Sequence, residues 1–134
     1  GHGGQRPPAV TAAELFERGE KLRRGGRAAA AIAAYRRLQA AFPETAEARL
    51  SFAFGGELLL QQGRPADALA QFDRHLRLGG EVGEEALAGR ATALEQLHRP
   101  SEAAAAWKSL LARYPPSIYA ERARARLQQL TGSP

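Results

Sequence analysis

Residues 51–78, SFAFGGELLLQQGRPADALAQFDRHLRL, carry apolar positions at helical spacing on both sides of Gly63 and so predict a helix, a tight turn and a second helix. The pattern recurs. Gly56, Leu59, Gly63, Ala68 and Phe72 have counterparts 37 residues earlier at Gly19, Leu22, Gly26, Ala31 and Tyr35, and again 35 residues later at Ala91, Leu94, His98, Ala103 and Trp107. Five positions sharing two intervals identify an array of helical hairpins.

The rest of the chain extends this array in both directions. Thr11 and Glu14 form a T-x-x-E capping box, opening a first helix that runs to Arg24 and stops at Gly25-Gly26. A second helix, Arg27 to Ala41, turns Ala31, Tyr35 and Leu38 inward, and Pro43 ends it. The third, Thr45 to Gln62, is apolar around most of its circumference and belongs in the middle of the fold. Pro65 and Pro100 suit the first positions of the fourth and sixth helices, where an amide is not needed. The fifth spans Gly83 to Leu97, and the sixth ends before Pro115. The seventh, Ser117 to Leu130, repeats the face of the first helices once more, with Ala123, Leu127 and Leu130 lying 36 residues after Leu87, Ala91 and Leu94. No partner helix follows it, so it is expected to cap the array. The predicted fold is an all-α superhelix of seven helices: hairpins at 11–44, 45–80 and 81–116, a cap at 117–130 and a tail at 131–134. The Gly- and Pro-rich residues 1–10 read as a linker or cloning remnant.

Small residues at 19, 56 and 91 on the first helices, and at 31, 68 and 103 on the second, allow close backbone approach. Tyr35, Phe72 and Trp107 then fill the wider space beside the next unit. With a proline near the end of the unit, these marks resemble the tetratricopeptide repeat family over Thr11 to Leu130. The units depart from that family in running to 35–37 residues, in placing His98 where the turn glycine is expected, and in placing Gly80 where the second proline is expected. A narrower similarity, on residues 41–48 (AFPETAEA) and 113–120 (RYPPSIYA), is to bacterial envelope proteins of the outer-membrane assembly lipoprotein and Tol-Pal coordinator types. It implies a periplasmic or envelope scaffold, with a cytoplasmic location as the alternative.

The family resemblance implies a non-enzymatic interaction module whose first helices line a concave groove for a peptide or helix of another protein. Its contact positions fall here on Phe16, Glu20 and Arg24, on Leu50, Phe54, Glu57 and Gln61, and on Thr92 and Gln96, with Ala13, Glu17, Glu85 and Glu95 beside them. Phe16 and Phe54 would anchor an apolar side chain, and Glu20 and Glu57 would select a basic neighbour. The bland alternative is that the phenylalanines complete the core and the glutamates are solvated. The Lys and Asn clamp of the chaperone-binding branch is replaced by Phe16, Glu20, Phe54 and Glu57, so that activity is not expected.

Composition narrows the chemistry further. Cysteine is absent, which removes disulfides and thiolate metal sites, and methionine is absent even at position 1, so the chain is expected to be part of something longer. No apolar run reaches the roughly eighteen residues that span a bilayer, and no membrane insertion of this segment is expected. The formal charge of +5 comes almost wholly from arginine, since Lys21 and Lys108 are the only lysines among 19 basic residues. The arginines are interspersed with acids, as on solvated helix faces, and no nucleic-acid partner is expected. His75 and His98 lack a second ligand at metal spacing, and no serine has a base beside it. No cofactor and no catalysis are expected. The rival role is self-association through the terminal helix, with Ile118, Tyr119 and Leu130 exposed.

Overall fold

The computed structural model describes residues 9–132, leaving most of the proposed linker and the end of the tail outside the described residues. Seven helices follow one another: α1 (Ala12–Arg24), α2 (Ala28–Ala41), α3 (Ala46–Gln61), α4 (Pro65–Leu78), α5 (Gly83–Gln96), α6 (Pro100–Arg113) and α7 (Ala120–Thr131). The described residues contain no strand. Each predicted element is present, with ends displaced by a residue or so except at α7. That helix begins three residues later than expected because Ser117 captures the chain first. Its hydroxyl accepts from the Tyr119 amide at 2.9 Å, and its carbonyl accepts from Ala120 at 3.1 Å, so Ser117–Tyr119 form a turn instead of a helical start.

Local chemistry explains the boundaries. The Thr11 hydroxyl accepts from the Glu14 amide at 3.1 Å and the Glu14 carboxylate accepts from the Thr11 amide at 3.3 Å, completing the capping box. The Thr45 hydroxyl caps α3 by accepting from the Ala48 amide, without the reciprocal half of a capping box. The three intra-hairpin turns need a left-handed residue, supplied by Gly26 (φ 74°), Gly63 (φ 71°) and His98 (φ 57°). His98 therefore takes up the glycine conformation despite its side chain.

Packing between the helices follows the small and aromatic series. A Cβ added to Gly19 would lie 2.3 Å from the Tyr35 ring, and one added to Gly56 would lie 2.7 Å from the Phe72 ring. Phe72 also reaches the next unit, where a Cβ on Gly89 would come within 2.3 Å of it. The ring is thus clasped between α3 and α5. Tyr35, Phe72 and Trp107 are all but fully buried, and the core runs continuously along the array beside them. The first helices also pack on one another, α1 on α3 and α3 on α5, while the second helices make no comparable contact. The inner, shorter side of the curve is therefore the face of the first helices.

Candidate functional site

Three helices, α3, α5 and α7 with its preceding Tyr119, line an open cavity of about 170 Å³ on this inner face. Leu60, Ala88 and Gly89 supply small or apolar walls, and Glu57, Gln61, Glu85, Thr92, Tyr119 and Arg122 supply polar groups. Beside it, between α1 and α3, the Phe16 and Phe54 rings lie 6.2 Å apart at a 33° tilt. The Arg23 guanidinium stands 5.0 Å from the centre of the Phe54 ring. Both rings are partly buried and packed on the core, with the Arg23 guanidinium lying over part of the Phe54 ring. The inner face therefore offers an apolar shelf next to a polar cavity.

The expected contact residues divide into groups. Phe16 and Phe54 make the shelf, and Glu57, Gln61 and Thr92 come together in the cavity. Arg24 is exposed and stands 3.8 Å from Glu17, a surface pair of small energetic weight. Leu50 lies on the same helical stripe but lines another cavity, of about 320 Å³, with Ala46, Arg49, His75, Gly80 and Glu81. Gln96 is exposed at the end of α5 and does not line the inner cavity.

Glu20 requires a correction. It was expected to meet a partner, yet it is buried, accepting from the Tyr35 hydroxyl and from Arg23 at 2.6 Å. Burial opposes its ionisation, but hydrogen bonds from Arg23 and Tyr35 outweigh that and hold its pKa below the usual carboxylate value. Burial first and the bond to Glu20 second drive the Tyr35 hydroxyl upward, against a smaller opposing effect from Arg23. Glu95 is likewise taken internally. It accepts from Trp107 Nε1 at 2.7 Å and from Arg126 at 2.5 Å, and these bonds overcome burial to lower its pKa.

Tyr119 and Arg122 were not among the expected groove residues, because the terminal helix was read as a cap or, with Tyr119, as a self-association face, and its arginines as a solvated face. Arg122 donates to the Thr92 hydroxyl at 3.1 Å and stands 5.5 Å from the Trp107 ring, which fixes it at the α7 side of the cavity. The signal available was its spacing of four residues from Arg126, which places both on the side of α7 that meets α5.

The larger cavity near Leu50 has a single polar peculiarity. His75 Nδ1 donates to the Arg49 carbonyl at 2.7 Å, leaving Nε2 buried without a partner. The ring has no exposed surface, so this histidine is part of the packing between α3 and α4. Among the described residues, no group of His, Asp and Glu could hold a metal ion, and no helix is long and apolar enough to cross a membrane.

A family model described as tetratricopeptide repeat matches residues 16–82 and 55–118. No curated protein matches the chain. Among solved structures, the Arabidopsis OM64 TPR domain is 19% identical with a TM-score of 0.77, covering 92% of this chain and 96% of that one. The second TPR domain of human RPAP3, in complex with the HSP70 peptide SGPTIEEVD, is 24% identical with a TM-score of 0.76, covering 89% and 93%. The first TPR of Spaghetti (RPAP3), bound to the HSP90 peptide SRMEEVD, is 20% identical with a TM-score of 0.74, covering 90% and 93%. At these identities the likeness concerns the fold.

Proposed function

The chain belongs to the tetratricopeptide repeat family, and on that premise we propose that it is a non-enzymatic scaffold whose inner groove holds a peptide or helix of a protein partner. The observation that carries this reading is the pairing of the Phe16–Phe54 shelf with the α3–α5–α7 cavity on one face of a prepacked array. A preformed face loses little ordering entropy on the protein side when a partner docks. Two solved neighbours hold short peptides ending in EEVD. A different partner is proposed here, because the groove's own glutamates have the same sign of charge as such a peptide.

A bacterial envelope context rests on the two aromatic-proline linkers. Phe42 (φ −136°, ψ 58°) and Tyr114 (φ −133°, ψ 68°) share one backbone conformation, so the two sequence similarities correspond to one structural device. A photocrosslinking residue placed at Gln61 in the groove, and separately at the exposed Ala70 on α4, tests both points in envelope and cytosolic fractions of the source cell. Crosslinked partner from Gln61 alone supports the groove, and the fraction that yields it gives the compartment. Equal yields from both positions, or yield from Ala70 alone, would move the contact to another surface.

A further inference from the structure

The inner face contains several carboxylates, and they differ in what already occupies them. Glu20 and Glu95 are paired inside the fold, and Glu17 faces Arg24. Among the described residues, none of the ion pairs involves Glu57, Glu84 or Glu85. Glu57 and Glu85 line the cavity from α3 and α5. The cation at its edge, Arg122, is held by Thr92 and the Trp107 ring. The cavity is therefore a negative spot in a protein of formal charge +5.

The field at Tyr119 agrees with that arrangement. Burial raises its hydroxyl pKa, and Glu85, Glu57 and Glu84 raise it further, against a smaller opposing effect from Arg122. Here the free carboxylates outweigh the one anchored guanidinium.

We propose that this cavity receives the lysine or arginine side chain of an extended partner segment whose neighbouring apolar side chain rests on the Phe16–Phe54 shelf. The proposal rests on the groove reading above and adds the partner's chemistry. The charge complementarity is local: two lining carboxylates without an ion-pair partner, Glu85 partly buried and Glu57 exposed, stand on one cavity. Shelf and cavity are separated by about one helix-to-helix spacing, roughly 8–10 Å. An extended chain advances about 3.3 Å per residue, so the apolar and cationic residues should stand about two or three positions apart.

The test pans a phage-displayed library of short linear peptides against the full chain and against the Glu57→Gln, Glu85→Gln double variant. Because neither carboxylate is paired within the fold, the variant should melt like the unmodified protein. Enrichment of an apolar residue followed at that spacing by Lys or Arg, with the basic preference lost in the double variant, supports the proposal. The best lysine peptide should also lose about tenfold or more in affinity for the unmodified protein when its lysine is replaced by norleucine. Groove-dependent enrichment with no basic preference, or an equal preference in the double variant, would overturn the cation assignment and leave the groove reading standing. No enrichment that Phe54→Ala diminishes would overturn the groove reading as well.

Discussion

The aromatic residue at the repeated position of each second helix decides what the nearby glutamate is free to do. Tyr35 presents a hydroxyl and Trp107 an indole N–H, and both must find an acceptor once buried. Glu20 and Glu95, on the first helix of the same hairpin, provide it. Phe72 has no donor, and Glu57 stays exposed. Glu20 and Glu57 occupy equivalent repeat positions, so the first-helix pattern could not separate them. The distinction was written on the partner helix, in Tyr35 against Phe72. It has a pH consequence. The folded-state pKa of Glu20 is lowered, so its contribution is complete above the unfolded value and is lost as pH falls through the folded value. Glu20→Gln should cost roughly 1–3 kcal/mol at neutral pH, through weakened bonds to Tyr35 and Arg23. Between about pH 5 and 3 its melting temperature should fall less steeply than that of the unmodified protein. Parallel thermal melts followed by circular dichroism would show this, and identical slopes would mean that Glu20 contributes no pH-linked stability.

Among the elements, the regular parts of the fold were legible because each has a local cause. The cap at Thr11, the prolines at 65 and 100, and the turn glycines at 26 and 63 are readable one residue at a time. The start of α7 was not, because a hydroxyl turn at Ser117 competes with a helical start of similar composition. The reach of α7 across α5 was also hidden, since it depends on Arg126 meeting Glu95 from 31 residues away. That contact makes α7 both a cap and a wall of the cavity. Ala123 is fully buried, while Leu127 and Leu130 pack against the core around Leu94, Trp107 and Leu110. Deleting the chain from Ser117 onward would strip this cover from a large aromatic and two leucines. The shortened protein should bind a hydrophobic dye and unfold at a lower urea midpoint, with the loss concentrated in α5 and α6. Hydrogen exchange would check the location: faster exchange confined to α5 and α6 fits a cap, whereas unchanged protection there would make α7 an ornament on an independently stable array.

At the scale of the whole molecule, curvature was readable and the state of the open end was not. The small-residue series implied close approach of the two helices within each hairpin and the family resemblance implied a concave face of first helices, whose mutual packing is what bends the array. Sequence alone also left Ile118 and the terminal helix as a possible docking face for a second copy. Ile118 is indeed 84% exposed, but it stands in the turn before α7, with Pro115 and Pro116 exposed nearby. The outer side of α7 exposes Glu121, Arg124, Ala125, Gln128 and Gln129, a polar surface that another hairpin would have to dehydrate. Burying such groups without matched partners costs more than one isoleucine returns. The domain should therefore sediment at the mass of a single chain across a wide concentration range, and Ile118→Asp should leave that mass unchanged. A mass that rises with concentration, and falls back in Ile118→Asp, would show that the turn before α7 joins two copies. The groove would then have to be considered in a dimer, with the position of the second copy deciding whether its α7 side remains open.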